Sequence, residues 1–292
     1  MKTSNLIGYG AVGIAAAFIA SAFLLCHPGN KPKPVHDVTP PPPPALTVKH
    51  VDIPPPPPLT VQQIIANTEA ASVLIKVQFM AQMTDMFGQP IGGMQLMTAG
   101  GSGWFSDNHG DIVTANHVAN DTDKSIVVTL PDGTQHNATI VYETKQNKDF
   151  TVLHIDVTNN KFVKFGDSDK LQAGDPVLVI GYPFMFNLGS GPSASSGIVS
   201  NPLRSFPANA EDPTLANNGY VQIDAAINHG NSGGPVVNAR TGDIIGLADW
   251  MLAPADQNAG VNFIVPSNVI EKELAQWVQK VKVSLPTLNL GA

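Results

Sequence analysis

A serine enclosed by glycines stands at the centre of the segment Asn228–Pro235, which reads NHGNSGGP. Glycine admits a positive φ and lets another backbone come close, so this composition suits a tight loop that carries the Ser232 hydroxyl at its tip. In such a loop the backbone N–H groups of Gly230 and Ser232 can point into one space and stabilise a developing oxyanion. The segment alone is equally compatible with a glycine-rich turn between strands, so a nucleophile requires partners elsewhere in the chain.

The best candidate for a base is His117, which follows the apolar run Ile112–Ala115. A serine hydroxyl becomes a good nucleophile only when a base accepts its proton. We expect His154 to be an exposed or hydrogen-bonded strand residue, and His229 to face solvent or substrate. The other histidines lie in the N-terminal segment or in polar turns, and these are His27, His36, His50, His109 and His136.

The best candidate for the acid that orients this base is Asp149, which lies where an apolar strand begins. A buried carboxylate is costly unless it is paired, so its place favours a functional role. The rivals Asp167, Asp169 and Asp175 fall in turns. The sequence therefore predicts a triad of His117, Asp149 and Ser232.

Composition excludes several other classes of function. The formal net charge is −7 and the chain has no basic cluster, so nucleic acid is not an expected partner. The single cysteine, Cys26, leaves no intramolecular disulfide and no cysteine-based metal site. We predict a protein without a cofactor or metal, whose 292 residues are enough for one large domain or two small ones.

Residues Leu6–Leu25 are free of charge, and about 20 apolar residues are needed to span a bilayer. We interpret residues 1–27 as an uncleaved signal anchor that places the following domain in the periplasm or another extracytoplasmic space. A cleaved signal peptide remains open because Ala20-Ser21-Ala22 offers a cleavage site. Lipidation of Cys26 is the least favoured alternative, since the preceding Leu25 is large.

Residues 28–59 contain the proline blocks Pro40–Pro44 and Pro54–Pro58. Proline removes amide donors, and few apolar side chains are present to form a core, so we predict a disordered spacer. In polyproline II the spacer would extend by about 3.1 Å per residue. A docking site for a proline-binding module is the rival interpretation.

The folded part begins with Thr60-Val61-Gln62-Gln63, a capping box that predicts a short helix. Helical periodicity returns after Ser267 and predicts a closing helix over 267–283, followed by a tail at 285–292. Between them, short β-branched runs separated by Gly, Asn, Asp and Pro predict an all-β barrel or sandwich. The predicted strands are Val73–Phe79, Gly103–Phe105, Ile112–Ala115, Ile126–Leu130, Ala138–Tyr142, Val152–Ile155, Val177–Ile180, Gly197–Val199, Tyr220–Ile223, Pro235–Val237, Ile244–Leu247 and Val261–Val265. The apolar face of the closing helix is predicted from Val269, Ile270, Leu274, Trp277, Val278 and Val281.

The segment Met80–Met97 holds five of the eight methionines and interrupts this pattern. We predict a flexible apolar loop that repacks against partners or covers a cleft. A loop folded onto its own barrel is an equally good interpretation.

Several motifs resemble those of HtrA/DegP-type trypsin-like serine proteases, over about residues 60–280. The resemblance implies two six-stranded antiparallel β-barrels of the chymotrypsin type within a protease domain at 60–284. The first barrel, about 72–170, would carry His117 and Asp149, and the second, about 171–266, would carry Ser232. The motifs are Gly101-Ser-Gly-Trp, Thr114-Ala-Asn-His117-Val, Asp149-Phe-Thr-Val-Leu, Gly181-Tyr-Pro-Phe, Ser196-Gly-Ile-Val, Asp224-Ala-Ala-Ile-Asn, Gly230-Asn-Ser-Gly-Gly and Gly260-Val-Asn-Phe-Ile-Val-Pro.

The chain also departs from this family. HtrA proteins usually carry PDZ domains after the protease, whereas about ten residues follow the predicted closing helix here. Assembly into a homo-oligomer such as a trimer is therefore an open expectation. The segment Arg204–Asn218 is long and polar, and in the family this region helps to order the oxyanion hole.

The resemblance places the pocket for the residue before the scissile bond at Ala226, Ile227 and Leu247. These side chains place no acid at the base of the pocket, so we expect small or medium aliphatic residues there rather than Arg or Lys. Asp249 on the pocket wall is the residue that would change this preference. Asn231 before the serine offers no carboxylate to a freed amino terminus, so zymogen cleavage is not expected.

Together these features predict a membrane-tethered serine endopeptidase that acts on unfolded or damaged proteins. A narrow processing protease, including a phage-encoded one, is an alternative. A second alternative is a catalytically silent chaperone or binding module in which the Met-rich segment captures apolar chains. That alternative predicts a broken triad or a replaced oxyanion glycine, and the sequence has neither.

Overall fold

The computed structural model describes residues 57–122, 124–144, 148–158, 161–184, 191–205, 219–251 and 260–284. The predicted anchor, nearly all of the predicted spacer and the C-terminal tail lie outside these ranges, as does most of the segment Arg204–Asn218. Within the described ranges no helix combines the length and the apolar character needed to cross a bilayer.

Helix α1, Val61–Glu69, begins at the predicted capping box. The backbone N–H of Thr60 donates to Gln63 Oε1 at 2.9 Å, and the N–H of Gln63 donates to Thr60 Oγ1 at 3.2 Å. Two N–H groups that the helix leaves free are satisfied in this way. Ile64 on this helix is buried in the core, so α1 is anchored to the strands that follow.

The first sheet contains seven antiparallel strands in the order β5-β4-β1-β2-β3-β7-β6. The expected six-stranded first barrel is therefore wrong in its strand count. The extra strand is β5, whose three residues Gln-His-Asn lack the β-branched pattern that marks the other strands. The bounds are β1 Ser72–Thr84, β2 Pro90–Phe105, β3 Asp111–Thr114, β4 Ser125–Thr129, β5 Gln135–Asn137, β6 Thr139–Glu143 and β7 Thr151–His154.

The second sheet closes into a six-stranded barrel in the order β10-β13-β12-β11-β8-β9, as predicted. Its interior is filled by alternate apolar residues of facing strands, among them Val177, Val179 and Ile223. The bounds are β8 Pro176–Gly181, β9 Ser193–Ser205, β10 Gly219–Ile223, β11 Pro235–Asn238, β12 Ile244–Met251 and β13 Asn262–Pro266.

Helix α2, Ser267–Ser284, closes the described fold where a helix was predicted. Ile270 is fully buried, and the ring of Trp277 lies 5.7 Å from that of Tyr142 in the first sheet. Val278 is 40% exposed, so it does not belong to the buried face to which the helical period assigned it. The helix therefore buries a narrower stripe than predicted.

The segment Met80–Met97 is a β-hairpin rather than a loop, and we call it the hairpin arm. Strands β1 and β2 pair from Ser72 and Trp104 out to Thr84 and Pro90, with a bulge beyond Ala81. At the tip, Asp85 Oδ1 accepts hydrogen bonds from two backbone N–H groups. The arm exposes seven large apolar side chains, namely Met80, Met83, Met86, Phe87, Ile91, Met94 and Leu96.

Ser102 on β2 joins the first sheet to the loops of the barrel. Its N–H donates to the carbonyl of Ser232 at 2.8 Å, and its hydroxyl donates to the carbonyl of Gly230 at 2.6 Å. The same hydroxyl accepts from the N–H of Tyr182 at 2.9 Å, and Thr114 Oγ1 donates to the Ser102 carbonyl at 2.7 Å. Ser102 has no exposed surface, so water does not compete for these bonds.

We predict that Ser102→Ala lowers the free energy of unfolding by about 1–3 kcal/mol, because it removes the hydroxyl that bonds the part-buried Gly230 carbonyl and the buried Tyr182 N–H. Urea titration followed by circular dichroism measures the change. Ser125→Ala is the matched control, since its hydroxyl lies at the surface and bonds Gln78. Its effect should stay within about 0.5 kcal/mol. If both variants lost the same unfolding free energy, Ser102 would not join the first sheet to the barrel loops as described.

Candidate active site

The two short strands β3 and β7 bring His117 and Asp149 together. Thr114 at the end of β3 pairs with Thr151 at the start of β7, so the residues just beyond both strands lie at the same edge of the sheet. The backbone N–H of His117 donates to Asp149 Oδ1 at 2.9 Å, and His117 Nδ1 is hydrogen-bonded to Asp149 Oδ2. The second contact selects the ring tautomer that leaves Nε2 free to accept a proton.

The electrostatics of this pair favour an ionised Asp149. Burial raises the pKa of the Asp149 carboxyl, but other interactions outweigh it. These are the bond to the His117 ring and the positive charge of that ring, an interaction with the Asp249 side chain and the bond from the His117 backbone. Together they lower the pKa from 3.8 to about 2. Asp149 therefore carries a negative charge throughout the neutral range and can stabilise a protonated His117.

Ser232 lies in the loop between β10 and β11. Asp249 contacts both Ser232 and His117 and so links the serine to the His117–Asp149 pair. Its hydroxyl donates to the backbone carbonyl of Asp249 at 3.2 Å, while Asp249 Oδ1 lies 3.7 Å from His117 Nδ1. Across the described part of the chain no hydrogen bond links the Ser232 hydroxyl to His117. Such bonds are often long in unliganded catalytic sites. The three residues predicted from the sequence thus lie at one place, next to Asp249.

The backbone around the serine is held in a conformation that requires glycine. Gly230 has a φ of 100° and Gly233 a φ of 81°. A Cβ at Gly230 would lie 2.3 Å from the Tyr182 carbonyl oxygen. The carbonyl of His229 accepts from the Phe184 N–H at 2.8 Å. The peptide that joins His229 to Gly230 is planar and trans, so the N–H of Gly230 points away from Phe184, opposite to the His229 carbonyl.

The three residues of the predicted pocket differ in how much of their surface is exposed. Ala226 is partly exposed and its carbonyl accepts from Ser195 Oγ at 2.7 Å. Ile227 and Leu247 are 2% and 0% exposed, because their side chains pack in the barrel and in the main core. Of the three predicted side chains, Ala226 therefore offers the largest fraction of its surface to a ligand.

The rival residues have structural partners. His154 Nδ1 lies 2.7 Å from Asp111 Oδ1, which agrees with the expected hydrogen-bonded strand histidine. His229 is exposed, as predicted. Asp175 pairs with Arg240 at 2.7 Å, and Asp167 caps the 3-10 turn Ser168–Lys170.

Asp249 is the residue of the site that the sequence misplaced. It was assigned to the pocket wall, whereas its carboxylate lies beside His117 and Asp149. The reason is a β-bulge, since Ala248 pairs with Ile264 and Trp250 with Phe263, and Asp249 is the extra residue between them. A β-bulge changes the direction of a side chain, and no sequence pattern around Asp249 indicates that a bulge forms there. The ligating atoms of His117, Asp149 and Asp249 lie within 4.8 Å of one another, so this cluster also has the donors of a metal site.

We predict that the pairing of Asp149 makes stability pH-dependent in acid. Its pKa is lower in the folded than in the unfolded chain, so its stabilising effect is present above about pH 4 and disappears as pH falls through about 2. The difference in unfolding free energy between wild type and Asp149→Asn should shrink by about 2 kcal/mol from about pH 5 to 2. Denaturant titrations at several pH values measure it. A constant difference would contradict the assigned pairing.

Comparison with known proteins identifies the family of this chain. The family model described as a trypsin-like peptidase domain matches residues 101–247. The periplasmic serine endoprotease DegP of Escherichia coli is 38% identical over 201 residues, which cover 68% of this chain and 40% of the relative. A probable periplasmic serine endoprotease DegP-like of Brucella suis is 36% identical over 194 residues, covering 66% of this chain and 35% of the relative. The chain thus spans well under half of these relatives.

A solved structure agrees as well. The HtrA-type protease AlgW with decapeptide superimposes with a TM-score of 0.60 at 25% identity, covering 76% of this chain and 68% of that chain. The segment matched by the family model spans half of the chain and contains the positions of His117, Asp149 and Ser232. The chain therefore belongs to the trypsin-like peptidase family, and within it is similar to HtrA/DegP-type serine proteases.

Proposed function

We propose that this protein hydrolyses peptide bonds through Ser232, His117 and Asp149 in extracytoplasmic protein quality control. The observation that carries the proposal is the meeting of an ionised Asp149, a hydrogen-bonded His117 and a glycine-flanked Ser232 in a fold of this family. The names of the matched relatives supply the compartment, since both are called periplasmic.

The chemistry follows from the position of each group. Ser232 Oγ leaves the Asp249 carbonyl and attacks the scissile carbonyl while His117 Nε2 accepts its proton. The N–H groups of Gly230 and Ser232 stabilise the oxyanion, and the orientation of the 229–230 peptide supports this role for Gly230. His117 then protonates the leaving amine, and water hydrolyses the acyl-enzyme by the same route. Asp149 supports the positive ring in both steps.

A small aliphatic residue before the scissile bond suits the pocket. Ala226 takes little space and carries no charge. The Asp249 carboxylate, the one acid placed near the pocket by sequence, lies against His117 and Asp149 and is not free to pair with Arg or Lys. Val, Ala or Leu in the substrate is therefore favoured over a basic residue.

Tethering and control belong to the same proposal. An anchor at 1–27 and a proline-rich spacer would hold the protease domain away from the bilayer on the periplasmic side. The family resemblance also implies a homo-oligomer such as a trimer. Asn231 cannot form an ion pair with a new amino terminus, so control would lie in loops or location rather than in zymogen cleavage.

The hairpin arm supports a second candidate, a chaperone activity on the same fold. It exposes seven large apolar side chains and carries a single charged residue, Asp85, which suits contact with apolar segments of other chains. A purely silent module is less well supported, because the triad and Gly230 are present. A narrow processing protease would share the chemistry and differ in substrate range.

We predict that Ser232→Ala lowers kcat for casein cleavage by at least about 10⁴-fold, because it removes the nucleophile and leaves the fold intact. His117→Ala should do the same, whereas the matched control His154→Ala should not. Labelling by a fluorophosphonate probe, read on a gel, should require Ser232. Cleavage of casein by Ser232→Ala at the wild-type rate would exclude the assignment.

We predict that a peptide library is cleaved after Val, Ala or Leu, because an uncharged pocket cannot repay the desolvation of Arg or Lys. Mass spectrometry of the products identifies the cleaved bonds. Ala226→Asp should move cleavage toward basic residues, since it places an acid at the predicted base of the pocket. If the wild type cleaved mainly after Arg, the predicted preference of the pocket for aliphatic residues would be wrong.

Quality control and processing are separated by substrate range. We expect the enzyme to degrade several unrelated unfolded proteins, such as reduced lactalbumin and casein, and to spare their folded forms. Cleavage of none of them by an enzyme that the fluorophosphonate probe labels would favour a processing protease.

A further inference from the structure

The closing helix α2 contacts the residue that precedes the acid of the candidate site. Glu273 on this helix forms an ion pair with the Lys148 ammonium, and Lys148 is the immediate neighbour of Asp149 in sequence. The side chain of Glu273 is 17% exposed and that of Lys148 is 38% exposed, so the pair is partly shielded from water. A helix that belongs to neither sheet is therefore bonded to the segment that carries Asp149.

The same carboxylate is also bonded to the strand before this segment. Tyr142 on β6 donates its hydroxyl proton to Glu273 Oε2 at 2.9 Å, while Lys148 bonds Oε1. Burial, the hydrogen bond to Glu273 and the charge of Glu273 raise the pKa of Tyr142 to about 12, so its hydroxyl stays a donor throughout the neutral range. The two oxygens of Glu273 thus connect β6 with the residue before Asp149.

The helix that carries this carboxylate is anchored to the rest of the fold. Ser267 Oγ, at the start of the helix, donates to the Gly166 carbonyl at 2.7 Å. Ile270 is fully buried, and the ring of Trp277 lies 5.7 Å from that of Tyr142. Because the helix is held on both sides of the carboxylate, that group is a fixed point for the two side chains that it bonds.

The backbone around Asp149 has few other ties to distant elements. The Thr144 hydroxyl contacts the carbonyl of Lys148 and lies 2.7 Å from that of Phe150, so these bonds stay within the connection from β6 to β7. The Phe150 side chain is fully buried in the core. The Lys148 side chain adds a bond from this short segment to a helix more than a hundred residues away in sequence.

We propose that Glu273 is a positioning residue, which holds Lys148 and Tyr142 and thereby fixes Asp149 in the orientation that His117 requires. The inference rests on the proposed function for its catalytic consequence. Asp149 bonds His117 through both of its carboxylate oxygens, so a shift of its backbone disturbs both contacts at once. Loss of Glu273 should therefore weaken the orientation of the base and slow the proton transfer, with little effect on substrate binding.

The kinetic test is a double-mutant cycle of Glu273→Ala and Lys148→Met. Each change removes the ion pair, so each should lower kcat by about tenfold with KM unchanged. If the two residues act as one unit, the double variant should lose no more than the larger of the two single losses. Lys148→Arg keeps the charge of the pair and should retain at least about half of the wild-type kcat.

The matched control is Glu271→Ala, which changes an exposed residue of the same type on the same helix and should leave kcat unchanged. All assays are run in conditions in which urea titration shows every variant to be folded. Unchanged kcat in both single variants would overturn the proposal, as would a double variant that loses the product of the two single losses. A double variant that returns to the wild-type kcat would also overturn it, because Glu273 would then only keep the Lys148 charge away from Asp149.

Nitrogen NMR on isotope-labelled histidine tests the geometry without relying on activity. In a Ser232→Ala background, His117 should carry its ring proton on Nδ1, because Asp149 accepts from that nitrogen. Glu273→Ala and Lys148→Met should both move the ring toward a mixture of tautomers, and Glu271→Ala should not. The same tautomer population in all of these variants would overturn the proposal. An inactive wild-type enzyme would refute the proposed function, whereas the tautomer of His117 would still decide whether Glu273 positions Asp149.

Discussion

The hydrogen bonds of Ser102 hold the parts of the site in one arrangement. The base and acid follow strands of the first sheet, whereas the nucleophile follows a strand of the barrel, so no single sheet fixes their spacing. Ser102 bonds Ser232 through its N–H and Gly230 through its hydroxyl, both from inside β2. Ser102 itself is fully buried, and in a buried site a hydrogen bond is stronger and the loss of a partner more costly. The position of the nucleophile therefore depends on the first sheet as much as on its own barrel.

Charge at the site is arranged around one ionised group. Asp149 receives donors from the backbone and ring of His117, and these outweigh the cost of its burial. The barrel adds the Asp249 carboxyl to the same cluster. Its Oδ1 lies 3.7 Å from His117 Nδ1. The electrostatic environment of the base therefore depends on residues of both sheets.

Much of this arrangement could be predicted from sequence because local rules determine it. The capping box at Thr60, the alternating strands of the barrel and the glycines around Ser232 each carry a recognisable pattern. The hairpin arm was mistaken for a loop because its three glycines and its proline indicate turns, although pairing over many residues stabilises it. The position of Asp249 depends on a bulge between β12 and β13, which is decided by pairing with a distant strand. Features that depend on the pairing register of distant strands were not predicted, whereas features that depend on residues adjacent in sequence were.

The close packing of the backbone around Ser232 also limits which substitutions this sequence can accept. At Gly233 a Cβ would lie 2.3 Å from the Ser102 carbonyl oxygen, and at Gly230 it would meet the carbonyl of Tyr182. Both contacts are with backbone, which cannot rotate away as a side chain can. Every missense change in these two codons therefore collides with a rigid neighbour, whereas the hairpin arm can exchange its exposed side chains without such a collision. Variation among natural forms of this protein should accordingly collect on the arm, and new binding partners can arise there while the chemistry at the serine stays the same.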